Sequence, residues 1–460
     1  MESIANTSDI MLLDKLNFKV GSNANYIIER TSVTTPCESG AVFSNETGAK
    51  MIRFKISGFD DWFDPSTFAI KFTLKNDENK LLFPINADPA MFFKRWRLSV
   101  RNTLCEDINQ YARVSQMFNI LSNKNSMENR QAMGCGSAFQ EDSETIQHTT
   151  GWVDVGVPIA GSGSRVVMFT PTSGFFGHAH FHNKHQQNYI PLRYCGSIDI
   201  EIELNDTLEP IVEDYGTGTS TFVDVSSKWS ILNPTCHYDV IKLDSALNEN
   251  YTKHMSTGGS FHMPYCTFIS SLTTVLNSDY QLSIGRSLTK LETMYISLFK
   301  TLTVPGRKKQ GTGHLCNNFW SPNSGVGVLS TTAYNSSLYD EKIKKLQLTI
   351  GSKVFPVYPL DSHSGCLYEL KKAMKNSFTE QHSASINSWT YRSNKFITAF
   401  NLCKDSSSDL NFAGYNTKNS TMILQLTTGG DDDNRAEMAH IVLVAEQILT
   451  LMDSSAMVSD

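Results

Sequence analysis

The stretch Gly196-Ser-Ile-Asp-Ile-Glu-Ile-Glu-Leu-Asn-Asp-Thr207 decides the fold. Apolar residues at every second position from Ile198 to Leu204 alternate in it with acidic ones. Because side chains of a β-strand point alternately to opposite faces, this pattern predicts a strand with one buried and one solvated face. The turn-forming residues 205–221 follow it. A strand that closes one sheet system before a linker near mid-chain predicts two halves of similar size.

Length and composition favour a globular protein with two domains. The 460 residues exceed what one hydrophobic core usually serves, and 40% of them are hydrophobic against 19% charged. The formal net charge of -6 argues against a protein that depends on specific nucleic-acid binding, which normally carries a basic excess. Nine cysteines without a Cys-x-x-Cys pair favour free thiols over a zinc site or a disulfide framework.

Neither a signal peptide nor a membrane-spanning segment is expected. The first residues lack a basic region followed by an apolar core. The longest apolar run near the end, residues 441–451, contains Glu446 and Gln447 and is too short to cross a bilayer. Synthesis in the reducing interior of a cell follows from these observations.

Most of the chain carries strand patterns, interrupted by one helix in each half. In residues 106–121, apolar side chains recur at helical spacing, and the pair Glu106-Asp107 suits a helix N-terminus. Residues 366–375 form a second amphipathic pattern. Proline at the end of Trp62-Phe-Asp-Pro65 predicts a sharp corner. Strands are predicted at residues 51–57, 68–74, 97–100, 165–169, 197–204, 237–243, 288–299, 347–351, 421–426 and 439–451.

These patterns predict an all-β protein with a double jelly roll, meaning two antiparallel β-sandwiches in tandem, each with a short inserted helix. The N-terminal arm could dock on its own domain or reach a neighbouring subunit, and the sequence leaves both open. The predicted divisions are an N-terminal arm (1–45), a first jelly roll (46–207), a linker (208–226), a second jelly roll (227–453) and a C-terminal tail (454–460).

The most suggestive candidate for chemistry is the run His178, His180 and His182. On a strand these imidazoles would share one face and could hold zinc, iron or copper, as in a metal-dependent double cupin. Cupins follow their His-x-His pair closely with a glutamate, whereas here Asp199 is the next acidic residue. A polar loop or exposed strand is the simpler interpretation, and we assign no metal ligand.

Other candidate motifs lack essential residues. Residues 306–313 imitate a phosphate loop, but Thr312 stands where the lysine belongs, so a basic surface loop is predicted. Residues 429–433 lack the spaced ligands of a calcium loop and predict a hairpin tip.

The remaining polar residues do not predict an enzyme. The acidic face of Asp199, Glu201 and Glu203 is typical of solvent or a subunit contact. No Gly-x-Ser-x-Gly elbow or evident triad is present, so neither a catalytic residue nor a cofactor is assigned. A carbohydrate-binding β-sandwich that stacks sugars on exposed Trp152 or Trp320 stays open as a second alternative.

Several short segments resemble the major capsid proteins of the double jelly-roll lineage of eukaryotic DNA viruses, which includes virophages, Polinton-like viruses and adintoviruses. They are spread over residues 50–455 in an order that suits that family. The segments are Asp61-Trp-Phe-Asp-Pro-Ser66, Pro89-Ala-Met-Phe-Phe-Lys-Arg-Trp-Arg-Leu98, Glu106-Asp-Ile-Asn-Gln-Tyr111, Tyr189-Ile-Pro-Leu-Arg193, Trp229-Ser-Ile-Leu-Asn-Pro234 and residues 446–455.

The resemblance implies a structural protein of the virion, made and assembled inside the host cell. It implies a homotrimer whose six jelly rolls form a pseudo-hexagonal capsomer of an icosahedral shell. Its partners would be neighbouring capsomers, penton and minor capsid proteins. A host receptor could be bound by outer loops around residues 122–165 and 305–340. The inserted helices would help to form contacts between neighbours.

Overall fold

The computed structural model of the protein describes most of the chain. The described residues are 26–44, 48–58, 60–79, 82–84, 88–122, 159–182, 188–205, 211–214, 222–225, 228–299, 319–322, 342–374, 386, 391–392, 395–404, 414–429 and 436–459. Residues 1–25 of the predicted arm and most of both predicted outer loops lie outside these ranges.

Antiparallel strands make up most of the described chain. The strands up to residue 243 are β1 (Ile27–Pro36), β2 (Val42–Ser44), β3 (Met51–Ile56), β4 (Trp62–Asn76), β5 (Leu82–Pro84), β6 (Phe93–Val100), β7 (Thr103–Asn109), β8 (Ser164–Phe169), β9 (Ile190–Pro191), β10 (Ile198–Leu204), β11 (Ile211–Asp214), β12 (Phe222–Val225) and β13 (Trp229–Leu243). The later ones are β14 (Phe261–Thr274), β15 (Asp279–Ile284), β16 (Leu291–Phe299), β17 (Ile343–Ile350), β18 (Lys353–Leu360), β19 (Ile397–Asn401), β20 (Met422–Thr428), β21 (Met438–Leu451) and β22 (Ala456–Ser459).

Helices are short and lie between strands. The α-helices are α1 (Tyr111–Leu121), α2 (Leu192–Cys195), α3 (Ser245–Ser256) and α4 (His363–Met374), and the 3₁₀ helices are Pro89–Phe92 and His180–His182. Within the described ranges, no helix is both long and apolar enough to span a bilayer.

The strands form two jelly rolls of identical topology. The first contains the sheets β1-β13-β4-β8 and β3-β10-β6-β7, and the second contains β14-β21-β16-β19 and β15-β20-β17-β18. Each half has eight main strands, which can be counted in chain order. In both halves, one sheet has the strand order first–eighth–third–sixth, and the other has the order second–seventh–fourth–fifth. The longer helix of each half, α1 or α4, follows its fifth strand. The predicted double jelly roll is confirmed.

The alternating stretch behaves as predicted but does not close its half. Strand β10 pairs with β3 on one side and β6 on the other, and its isoleucines are buried in the sandwich. The eighth strand of the first jelly roll is β13, which pairs with β1 and β4. The prediction that the second jelly roll starts at residue 227 is therefore wrong for this strand, and the first jelly roll extends to Leu243. In a jelly roll the last strand lies beside the first. A boundary at the linker therefore separates this last strand from the jelly roll to which it belongs.

Three other predicted segments form structure of their own. Residues 27–36 of the predicted arm are strand β1, so this part docks on its own domain. The predicted linker contributes β11 and β12 to a small sheet with β5. The predicted tail contains β22, which pairs with β21. In each case backbone hydrogen bonds to a neighbouring strand order a segment whose side chains show little pattern.

Two local predictions also need correction. The corner at Pro65 is an irregularity inside the continuous strand β4, where the register with β13 shifts between His237 and Asp239. The first helix begins at Tyr111, after Gln110 in the left-handed conformation (φ 52°). Residue Glu106 therefore belongs to the middle of strand β7.

Helix α3 was not predicted because little of it is buried. Its N-cap is Asp244, whose carboxylate accepts a hydrogen bond from the Ala246 amide (3.2 Å). Met255 is its buried residue, so the apolar stripe that would have marked it as a surface helix is missing from the sequence.

Candidate assembly surfaces

Helix α1 lies between the two jelly rolls. All eleven of its residues are buried, including the polar Arg113, Gln116 and Asn119. A surface helix normally keeps a solvated face, so complete burial means that protein covers both of its sides. The side of α1 that faces the first jelly roll is held by Asp88, which is the N-cap residue of the 3₁₀ helix Pro89–Phe92.

The Asp88 carboxylate connects three segments of the first jelly roll. One oxygen accepts a hydrogen bond from the Ala90 amide (3.1 Å), and the other accepts from Ser115 Oγ and Asn119 Nδ2 (both 2.5 Å). The Ser115 hydroxyl also lies 3.0 Å from Thr172 Oγ1. Hydrogen bonds from several donors compensate the cost of burying this carboxylate. Two of the donors belong to α1, so the carboxylate fixes the helix in place.

The opposite side of α1 packs on the second jelly roll. The Phe118 ring lies 4.8 Å from the Phe268 ring of β14 and 5.4 Å from the Tyr295 ring of β16. The Arg113 guanidinium carbon lies 3.9 Å from the centre of the Phe299 ring, a cation–π contact. The helix therefore belongs to both jelly rolls.

His440 lies buried on strand β21 at the same interface. Its Nε2 is 2.7 Å from Ser270 Oγ. Burial and, to a smaller extent, the nearby Arg113 charge together lower the pKa of His440 to about 3. The imidazole is therefore neutral at physiological pH, which suits its position near a buried cation.

A second contact between the jelly rolls is organised by Glu106. Its carboxylate accepts hydrogen bonds from Trp96 Nε1 (3.1 Å), Ser173 Oγ (2.6 Å), and the amides of Gly174 (2.8 Å) and Phe175 (3.0 Å). Burial raises the pKa of Glu106, and these hydrogen bonds act against the rise. The carboxylate thus clamps the loop at residues 173–175 onto strand β7.

The clamped loop meets strand β14 without room for a side chain. A Cβ atom at Gly174 would collide with the Cys266 carbonyl oxygen. Beside it, the Phe175 ring lies 5.4 Å from the Tyr265 ring, and the Tyr265 hydroxyl donates to the Cys105 carbonyl (2.9 Å). Glycine at position 174 therefore allows the two jelly rolls to approach closely.

The C-terminal strand adds a third contact. The Thr103 hydroxyl donates to the Ala456 carbonyl (3.0 Å), and Arg101 Nη1 donates to the carbonyls of Met452 (3.3 Å) and Asp453 (3.0 Å). Strand β22 pairs with β21 of the second jelly roll. The predicted tail therefore ties the two jelly rolls together.

The three candidate histidines do not converge. Residue His178 follows a turn, with Nε2 3.2 Å from the Ser66 carbonyl. His180 Nε2 lies 3.2 Å from Thr172 Oγ1, and His182 Nε2 lies 2.9 Å from the Tyr295 hydroxyl. The strand on which they would share one face is absent, because residues 180–182 form a 3₁₀ helix. The geometry of the double-cupin alternative is therefore wrong, and the described residues contain no group of three or more side chains suited to a metal.

The acidic face of β10 is an ordinary solvated sheet surface. Both Arg53 Nε (3.1 Å) and Arg97 Nη1 (3.2 Å) contact the Glu201 carboxylate, and Lys94 Nζ lies 3.9 Å from Glu203. The Ser197 hydroxyl donates to Asp199 (2.7 Å). Cross-strand pairs of this kind contribute little individually.

Of the two tryptophans and two loops that remain as candidates, the structure describes Trp320. Trp320 is 2% exposed and cannot stack on a sugar, so the carbohydrate-binding alternative loses that residue. Trp152, residues 306–313 and residues 430–433 lie outside the described residues.

Sequence reasoning missed the residues that join the jelly rolls. Glu106 and Ile108 lie on the same face of β7, so a period-2 interpretation of residues 103–109 would have placed Glu106 inward. Gly174 and Arg113 carry no local signal, because their roles depend on strands β14 and β16, about 90 to 190 residues away in the chain.

Two jelly rolls in tandem, packed through an inserted helix, define the double jelly-roll class. Among solved structures, PBCV-1 VP54 fitted into a cryo-EM reconstruction of the virophage Sputnik matches with a TM-score of 0.60 and 9% identity, over 96% of this chain and 99% of that one. The Faustovirus major capsid protein matches with a TM-score of 0.58 and 10% identity, over 97% of each chain. The cryo-EM structure of the Sputnik virophage matches with a TM-score of 0.54 and 12% identity, over 96% of this chain and 90% of that one.

These comparisons confirm the predicted resemblance at the level of the fold. No family model matches the chain, and no curated protein matches its sequence. The short segments that carried the resemblance occur in elements that shape the jelly rolls, among them β4, the 3₁₀ helix before β6, β7 and β13.

Proposed function

We propose that this protein is a viral major capsid protein that self-assembles as homotrimers and builds an icosahedral shell. The observation that carries the proposal is the pair of topologically identical jelly rolls packed through helix α1. Three such chains supply six similar units, which is the number that a pseudo-hexagonal building block needs.

The fold of the solved neighbours and the use of polar residues support a structural role. Buried polar groups such as Asp88, Glu106 and Arg113 join segments of the chain, as the contacts above describe. We therefore propose a role without catalysis. We further propose that neighbouring capsomers, penton proteins and minor capsid proteins are its partners in the virion, and that the outer loops contact the host.

The absolute mass of the protein in solution tests whether it forms a trimer. We expect light scattering across a concentration series to give a stable species of three times the chain mass of 51.4 kDa. Electron microscopy of concentrated samples is then expected to show hexagonal arrays or shells. A protein that stays monomeric at every concentration and never forms arrays would contradict the proposal.

A further inference from the structure

A cavity of about 220 Å³ lies between strand β7 of the first jelly roll and strand β14 of the second. Each of these strands is at the edge of its sheet, β7 beside β6 and β14 beside β21. The strands are held together next to the cavity by the Tyr265 hydroxyl, which lies 2.9 Å from both the Cys105 carbonyl and Gln447 Oε1. The cavity is therefore a space between two parts of the chain that the fold keeps in fixed positions.

Both strands contribute side chains to the lining of the cavity. From β7 come Leu104, Asp107 and Asn109, and from β14 come Thr267 and Ile269. Leu104 is 45% exposed and Asn109 is also exposed, whereas Thr267 is 3% exposed. Leu104 and Asn109 therefore lie at the mouth of the cavity, and Thr267 lies at its floor.

Arg286 gives the cavity a positive charge. It follows strand β15, and the Thr417 hydroxyl lies within hydrogen-bond distance of its carbonyl (3.3 Å). The same hydroxyl accepts a hydrogen bond from the Leu288 amide (2.9 Å), so the backbone that carries the Arg286 side chain is held in place. In the part of the chain that the structure describes, no acidic side chain pairs with Arg286.

The acidic group in the lining is already neutralised. The Asp107 carboxylate accepts hydrogen bonds from Arg95 Nε (2.7 Å) and Nη2 (2.6 Å). This bidentate pair balances the Asp107 charge, so Arg286 leaves the cavity with a net positive charge. The side chains of Asn109 and Thr267 have no hydrogen-bond partner among the described residues. The guanidinium, the carboxamide and the hydroxyl are thus all available to a ligand.

We propose that this cavity binds a carboxylate that carries a short branched apolar group. The planar guanidinium of Arg286 matches the two oxygens of a carboxylate, and Asn109 and Thr267 supply further donors. Leu104 and Ile269 would contact the apolar part of the ligand. The cavity has room for about seven water molecules, which corresponds to a ligand of about eight non-hydrogen atoms.

A group of this kind occurs as a free small acid and as the last residue of a protein chain. Both sources present the same carboxylate and the same apolar side group to the cavity. The inference goes beyond the proposed function and does not rest on the trimer.

Saturation-transfer NMR with isocaproate tests the site on the full chain. We expect a dissociation constant of about 1 mM or tighter for a ligand of this size. Isocaproamide has the same shape without the charge. It is expected to bind at least about tenfold more weakly, because hydrogen bonds to a charged group are the stronger ones.

Two substitutions at the mouth of the cavity test the assigned residues. Arg286→Gln removes the positive charge, and Asn109→Asp adds a carboxylate that repels the ligand without a change in shape. Each is expected to weaken the binding of isocaproate at least about tenfold. Both residues are exposed, so thermal unfolding should show that the variants fold. The control Arg53→Gln changes an exposed arginine of β3, at the opposite edge of the sheet from β7, and should leave the binding unchanged.

An acetylated tripeptide that ends in leucine with a free carboxylate distinguishes the two sources. Tighter binding of this peptide would assign the end of a protein chain, and tighter binding of isocaproate would assign a small acid. The proposal is overturned if neither probe binds, if isocaproamide binds as well as isocaproate, or if Arg286→Gln leaves the affinity unchanged. Such a result would leave the proposed capsid role intact, because that role is tested by the mass of the assembly.

Discussion

At the scale of single residues, Glu106 shows how a buried charge can hold two domains in register. Four donors surround its carboxylate. In Glu106→Gln, the new NH₂ group cannot accept the hydrogen bonds that one carboxylate oxygen receives from Trp96 and Ser173. We expect the free energy of unfolding, measured in urea, to fall by about 2 to 4 kcal/mol.

The matched control for this carboxylate is Glu203→Gln on the solvated face of β10. Its carboxylate lies 3.9 Å from Lys94 Nζ and is partly exposed, so a change within about 0.5 kcal/mol is expected. Equal effects of the two substitutions would contradict the clamp that we assign to Glu106.

His440 is expected to make the fold sensitive to acid. Its pKa is lowered to about 3 in the folded protein by burial and by Arg113, whereas the unfolded chain takes up the proton near pH 6.5. Between these pH values the unfolded state binds more protons, so the free energy of unfolding falls as the pH falls, by up to about 1.4 kcal/mol per unit. Urea titrations at several pH values should show a shallower dependence for His440→Gln. The exposed His262→Gln is the control, and an unchanged slope in His440→Gln would refute the assignment.

At the scale of elements, the loop at residues 173–175 sets the distance between the jelly rolls. The methyl group of Gly174→Ala would collide with the Cys266 carbonyl, a backbone atom that cannot rotate away. We expect a loss of about 3 kcal/mol or more in the free energy of unfolding, at the upper end for overpacking. The control Gly285→Ala adds its methyl group to open space and should be neutral or slightly stabilising. A Gly174→Ala protein as stable as the control would mean that the two jelly rolls can separate freely here.

Strands with one solvent-exposed face could be predicted from the sequence. Strands that protein covers on both faces could be predicted only in part. Strand β10 alternates because its sheet has a buried and a solvated side. In β16 every residue is buried, including Glu292, Thr293 and Ser297, because α1 covers the outer face. Polar residues in such a strand obscure the alternation of polar and apolar positions that predicts a strand. They are buried because their partners come from another part of the chain.

The bounds of helix α1 were missed for the same kind of reason. The residues before it have both apolar spacing and charge, and these suit a helix as well as the strand β7 that forms. Pairing with β6 decides in favour of the strand. The candidate interface depends entirely on such distant pairings, so its residues could not be predicted locally.

At the scale of the whole molecule, two similar jelly rolls occupy different environments. The strand orders of the two halves are equivalent, yet the equivalent elements differ in burial. All residues of α1 are buried, whereas Tyr368 of α4 and Val357 and Tyr358 of β18 are exposed. The same topology therefore presents different surfaces in the two halves.

The same internal contact should make the chain unfold as one unit. Buried residues of both jelly rolls form a single continuous hydrophobic cluster, and α1 supplies side chains to both. Unfolding either jelly roll alone would expose the rings of Phe118 and Tyr295 and break the contact of the Arg113 cation with the Phe299 ring. We expect calorimetry to show one transition, with equal calorimetric and van't Hoff enthalpies when dissociation of the assembly is taken into account.

Phe118→Ala and Leu424→Ala test that cooperativity from two places. The first removes the ring between the jelly rolls, at a cost of about 3 to 5 kcal/mol, and the second opens a cavity in the second jelly roll alone, at about 2 to 5 kcal/mol. If the halves are coupled, each substitution lowers the midpoint of the whole transition, although Leu424 lies on β20 of the second jelly roll. Two transitions in the wild type, with Leu424→Ala shifting only one of them, would show that the jelly rolls fold independently and that α1 joins them without coupling them.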